Sequence, residues 1–170
     1  MTRFGVPLGR LAFGRAPAFL TRGDQEVNSK RMGGYMHYIS DQELDAVIMS
    51  AEVRSALHFI RENVRDLPGF RARSFTRGYM KAYGLVPEGK GVEERPYDFA
   101  VNKHSLKCYI RPPGLRSLGI ARKKKLLERF PEADMKAGEL RITIKTVEDA
   151  KGVIDCLPLG SEQQVNQEGR

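Results

Sequence analysis

The sequence predicts an α+β fold: a small, mainly antiparallel sheet with N-terminal helices and two C-terminal covering helices. Three observations predict it. Over residues 139–146, Leu140, Ile142 and Ile144 alternate with Arg141, Thr143 and Lys145, the period of a strand with one buried face. Ser40-Asp41-Gln42-Glu43, and later Thr146 with Asp149 three residues on, are helix-opening capping sequences. Pro112-Pro113-Gly114 separates a strand-like from a helix-like stretch, because proline offers no ladder donor and glycine frees the turn. At 170 residues and 41% hydrophobic content the chain can bury one core. A single domain is therefore expected at 40–157, between a basic N-terminal segment, 1–36, and a polar tail, 158–170.

The first twenty-three residues hold Arg3, Arg10, Arg15 and Arg22 and no acid. Three explanations stay open: a basic arm for nucleic acid, an organellar transit peptide, or a start codon placed too far upstream, with Met32 and Met36 as later starts. A helix is expected from Asp41, the Ser40 hydroxyl accepting the Glu43 N–H. Leu44, Val47, Ile48 and Ala51, then Val53, Ala56, Leu57, Ile60 and Val64, recur at helical spacing with a phase slip near Ser50. This gives two helices, or one kinked helix, ending before Leu67-Pro68-Gly69. From Phe70 to Tyr83 aromatic and basic residues interleave; Phe75, Tyr79 and Ala82 share a helical face and Gly84 suits a left-handed C′ position, so a short helix is expected there.

A loop rich in Gly, Glu and Lys over 87–95 leads into two strands, 97–101 and 105–111, paired about Asn102-Lys103-His104. In the second, Leu106, Cys108 and Ile110 make one face apolar while Lys107, Tyr109 and Arg111 make the other cationic. The following helix turns Ile120, Leu126, Leu127 and Phe130 to the core and Arg122, Lys124, Lys125 and Arg129 outward, and Pro131 ends it. Gly138 opens the alternating strand. Val147, Ala150, Val153, Ile154 and Leu157 form the closing helix, finished by Pro158 and Gly160.

No apolar run approaches the roughly 20 residues of a membrane span, so no membrane partner is expected. Cys108 and Cys156 lie far apart among apolar neighbours without a CxxC pair, which reads as two buried free thiols in a reducing, cytoplasmic setting. His37, His58 and His104 are scattered and no zinc-type ligand spacing occurs, so neither a metal nor another cofactor is expected. His104 and Cys108, four apart on one strand, stand about 13 Å from each other, too far for a nucleophile–base pair.

The phrases Ser105-Leu106-Lys107-Cys108-Tyr109-Ile110 and Gly138-Glu139-Leu140-Arg141-Ile142-Thr143-Ile144-Lys145-Thr146-Val147-Glu148-Asp149-Ala150 resemble two signposts of the YjbR-like "double wing" and "predicted transport protein" group of small bacterial α+β domains. The resemblance covers 97–157. It implies a strand, a helix, a strand running into an acidic pair, and a closing amphipathic helix. It implies DNA binding, inferred for the group from shape, and no catalytic residue. The Arg122 to Lys125 tract and the aromatic-basic stretch before it are not part of that pattern.

Between Phe99 and Lys125, twenty-seven residues pass without an acid and collect Lys103, Lys107, Arg111, Arg116, Arg122, Lys123, Lys124 and Lys125, as many cations as the formal net charge of +8. A placed positive field points to a polyanionic partner. The leading reading is non-enzymatic nucleic-acid binding, DNA or RNA, with phosphates held by Arg71, Arg73, Arg77, Lys81, Lys107, Arg111, Arg122, Lys123, Lys124 and Lys125. An acidic protein partner uses the same charges. A third reading is a PD-(D/E)xK-like nuclease, with Asp98 and Lys107 on consecutive strands and Glu93 and Glu94 nearby, although Ser105 stands where that motif has its second carboxylate. The strand cations and the helix cations form one surface only if the two elements pack side by side.

Overall fold

The computed structural model describes residues 36–159. The expectations for the Arg-rich segment up to residue 35 and for the tail from residue 160 lie outside them. The capping box at Ser40 forms as the sequence predicts, with the Glu43 N–H donating to the Ser40 hydroxyl and the Glu43 carboxylate accepting from the Ser40 backbone. That contact holds the Glu43 carboxyl below its ordinary value. The phase slip near Ser50 is a true break between α1 (Asp41–Asp45) and α2 (Ala51–Val64), the second capped by Ser50. The Lys103 carbonyl accepts from the Met49 and Ser50 N–H groups at this break and ties it to a distant turn of the sheet.

The chain builds one seven-stranded antiparallel sheet in the order β1-β2-β3-β4-β5-β7-β6. The strands are β1 (Met36–Tyr38), β2 (Phe70–Arg77), β3 (Met80–Pro87), β4 (Tyr97–Val101), β5 (Leu106–Ile110), β6 (Asp134–Lys136) and β7 (Glu139–Ile144). The expected short helix over 70–83 is instead the β2–β3 hairpin. Phe75 and Ala82 are cross-strand partners, and Gly84 is interior to β3. Its two-residue loop, Gly78-Tyr79, carries a positive φ at Gly78 and none at Tyr79, the pattern of a type II′ turn. The signal was present: Arg71, Arg73 and Arg77 sit at even spacing, the period of a strand.

The β6–β7 hairpin is also absent from the predicted elements, since Asp134-Met135-Lys136 is too short to show a period and is exposed at every position. Its loop, Ala137-Gly138, has positive φ at both positions, 53° and 77°. Alanine there bears the left-handed penalty of about 1–2 kcal/mol that a Cβ causes, whereas asparagine tolerates the region. Ala137→Asn is expected to stabilise the domain by about 0.5–1 kcal/mol, read as a higher urea midpoint at unchanged slope.

Residues opposite each other in a ladder share a face, so the registers sort every strand side chain. On one face Tyr83, Leu85, Tyr97, Phe99, Leu106, Cys108, Ile110, Leu140, Ile142 and Ile144 form the main core with α1, α2, α3 (Pro112–Arg129) and α4 (Val147–Ile154). Arg61 of α2 anchors this layer, pairing with Asp45 at 2.8 Å and lying over the Tyr83 ring. Thr146 and Asp149 cap α4 as expected.

The α3 helix differs from expectation in its middle. Pro112 opens it from within, at the first helical position, where a missing N–H costs nothing. Gly114 then lets the helix lie on Tyr97, whose ring would stand 2.7 Å from any added Cβ. At Gly119 φ is 71° and ψ 166°, so two helical pieces meet at a break. The break resets the helical phase: Leu118, Leu126 and Phe130 are buried, while Ile120 and Leu127, expected in the core, face solvent, Ile120 at 90% exposure.

Candidate nucleic-acid interface

The other face of the sheet carries no α-helix among the described residues. β2 presents Arg71, Arg73, Phe75 and Arg77 there, β5 presents Lys107 and Tyr109, and β7 presents Arg141 and Thr143. Arg71 and Arg73 are exposed and Arg77 half-buried. At the usual rise, successive members of that row stand about 7 Å apart along the strand where they are two residues apart. Lys107 lies three strand spacings away, about 14 Å, on the same face.

The middle of this face is a small second core. Phe75, Ala82 and Ala100 are buried, with Met36, Met80, Val92 and Tyr109 packed around them. The Val92–Glu94 turn of 3₁₀ helix brings Val92 over it. Beside it Asp98 of β4, fully buried, is gripped by two arginines. Arg95 donates from Nε to Asp98 Oδ1, and Arg111 reaches Oδ2 from Nε at 2.8 Å and from Nη2 at 2.7 Å. Arg111 also pairs with Glu139 at 3.2 Å, and Glu139 meets Arg141 at 3.7 Å.

The Arg95 guanidinium lies over the Phe75 ring, 4.6 Å from its centroid, and burial lowers its pKa while Asp98 opposes the shift. Gly84 makes room for the pair: a Cβ there would meet Asp98 Oδ1 and Phe75 Cε1 at 2.8 Å each.

The predicted site residues therefore divide. Arg71, Arg73, Arg77 and Lys107 share the helix-free face. Arg111, named from the sequence as a phosphate contact, is a structural cation committed to Asp98 and Glu139. Lys81 points to the helical side, its Nζ donating to the Glu43 carbonyl at 3.4 Å. Arg122, Lys123, Lys124 and Lys125 lie on α3, in the helical layer, with Lys124 3.7 Å from Glu128. The acid-free run is thus two surfaces on opposite sides of the sheet. Arg95 and Arg141 are cations of the helix-free face absent from the predicted set; Arg141 is legible as an outward position of the alternating strand.

The acid and lysine of the nuclease reading, Asp98 and Lys107, share this face on adjacent strands. Both Asp98 oxygens are occupied by arginines, and no group of three or more His, Cys, Asp or Glu side chains able to hold a metal occurs among the described residues. A groove of 460 Å³ lies away from this face, between α2 and α4, lined by Arg54, His58, Phe59, Glu62 and Val147. No described helix is long and apolar enough to cross a membrane.

Cys108 and Cys156 are free and buried, as the sequence suggested. Burial pushes the Cys108 thiol above its ordinary value of 9.0. Below that value both folded and unfolded chains keep the proton. Above it the unfolded chain ionises first, so stability falls with rising pH. Tyr83 and Tyr97, also raised by burial, add the same sign above 10.0. Cys108→Ala is expected to be less stable throughout but to lose less between about pH 8.5 and 10, as urea midpoints measured across that range would show.

Compared with protein-family models, curated proteins and solved structures, the chain matches none.

Proposed function

We propose that this protein is a non-enzymatic nucleic-acid-binding domain that holds phosphates on the helix-free face of its sheet, through Arg71, Arg73, Arg77 and Lys107. The observation that carries the reading is the row of arginines along β2. All three side chains of that row face one way, on a face where Asp98 and Glu139 are already neutralised by Arg95, Arg111 and Arg141, and where Asp134 stands opposite Arg141 at the far edge of the sheet. The net field left on this side is positive, which favours a polyanion with little base preference. The YjbR-like pattern of 97–157 fits the same reading, and kinship with that group is part of the proposal.

A salt titration tests it. With four phosphate contacts to a single strand, affinity should fall about fiftyfold between 50 and 200 mM salt. Binding indifferent to salt would sink the assignment.

A second reading belongs to the opposite side. Ile120 stands exposed on α3 with Lys123 and Lys124 one turn on, an apolar contact flanked by cations. This suits an acidic protein segment. Binding of such a segment should be lost in Ile120→Gln and unchanged when the β2 arginines are neutralised.

A further inference from the structure

We infer that the ligand of the helix-free face is a single strand with unpaired bases, stacked on Tyr38 and Tyr79; the inference rests on the phosphate-binding reading above. Two tyrosines are exposed beside the arginine row, and neither packs in the two core clusters. Tyr38 of β1 is 63% exposed and lies opposite Phe75 on the helix-free face. Its diagonal neighbours across the ladder are Arg73 and Arg77, which places a cation on either side of its ring.

Tyr79 occupies the second position of the β2–β3 turn and is fully exposed, two residues beyond Arg77. An aromatic ring has no role in a type II′ turn, which asks only for glycine first. Tyr109, the other tyrosine on this face, already has the Arg141 guanidinium over its ring, 5.3 Å from the centroid. Among the described residues no cation lies over Tyr38 or Tyr79.

The chemistry favours bases over other anions. Exposed rings set between guanidinium groups match a ligand that alternates a flat π-face with a phosphate, which an extended single strand does. A duplex hides those faces inside its stack, and a polyglutamate chain has none. The positive row supplies charge complementarity for all three, so the tyrosines alone discriminate.

Fluorescence anisotropy on the full chain tests this, using four labelled probes: oligothymidylate of about twelve nucleotides, an abasic strand of the same length, a duplex of the same length, and polyglutamate. Oligothymidylate should bind at least about tenfold tighter than the abasic strand. Tyr38→Ala and Tyr79→Ala should each weaken oligothymidylate binding by at least about fivefold while leaving its salt slope and the affinity for the abasic strand unchanged. The phenylalanine variants should keep the parent affinity, since the face and not the hydroxyl stacks. Equal affinity for oligothymidylate and any of the other three probes would overturn the inference, as would parent-like binding by the double alanine variant. If no nucleic acid binds, or if neutralising Arg71, Arg73 and Arg77 changes nothing, the phosphate-binding reading falls and takes this one with it.

Discussion

Replacing Asp98 by alanine is expected to destabilise the domain by about 3–5 kcal/mol, the cost of leaving buried cations without their partner. The residue is fully enclosed, as is Arg95, and Arg111 is largely so. Removing the carboxylate leaves the buried Arg95 guanidinium without a carboxylate and Arg111 with Glu139 alone. For a domain of this size the melting temperature should fall by about 10 °C or more. Asp98→Asn keeps the shape but not the charge and should recover only part of the loss. Arg111→Gln should cost less, because that side chain is partly solvated and leaves Asp98 still paired with Arg95. Gly84→Ala approaches the same pair sterically and should cost about 1–3 kcal/mol, since neither the Asp98 carboxylate nor the Phe75 ring has room to retreat. Urea unfolding of the four variants checks the order. A loss below about 1 kcal/mol for Asp98→Ala would mean that the arginines find water, and the pair would then have no structural role.

Changing Arg71, Arg73 and Arg77 together to glutamine is expected to weaken nucleic-acid binding by at least about tenfold at low salt and to flatten the salt slope by about 2, the share of three phosphate contacts on a single strand. The matching change at Arg122, Lys123, Lys124 and Lys125 should leave affinity within about twofold. The two variants remove similar charge from opposite sides of one sheet, so general attraction by net charge predicts comparable losses and a local footprint does not. Neither should alter stability much: Arg71, Arg73, Lys124 and Lys125 are exposed, and surface charges of this kind contribute little. If the α3 variant loses binding and the β2 variant keeps it, the footprint is the helical side and the helix-free face has another use.

The elements legible in the sequence share a cause: their signals are local. Ser40 with Glu43 and Thr146 with Asp149 satisfy each other within one turn, so both helix starts fall where they were expected. β5 and β7 each have one face in the core and one outside, and their alternation survives in the residues. The β2–β3 hairpin was misread because β3 is buried on both faces along much of its length, covered by the helices on one side and by Phe75 and its neighbours on the other. A run buried on both faces has no period to read. Arg71, Arg73 and Arg77 did carry the period, but the 3–4 spacing of Phe75, Tyr79 and Ala82 competed with it.

By itself the sequence determined the class of the fold, the capped helix starts, the apolar faces of β5 and β7, the two buried thiols and the excess of positive charge. These follow from spacing along the chain or from composition. Only the tertiary structure decided where the charge goes. Neighbours in sequence part company when a strand lies in the sheet and the next helix lies over one side of it. Lys107 and the Arg122 to Lys125 tract therefore end on opposite faces despite belonging to one acid-free run. Residues far apart in sequence converge for the same reason: Arg71, Lys107 and Arg141 meet on one surface because β2, β5 and β7 point the same parity of side chains away from the helices. The role of Arg111 was hidden likewise, since whether a cation meets a phosphate or a buried carboxylate depends on which strand pairs with its own.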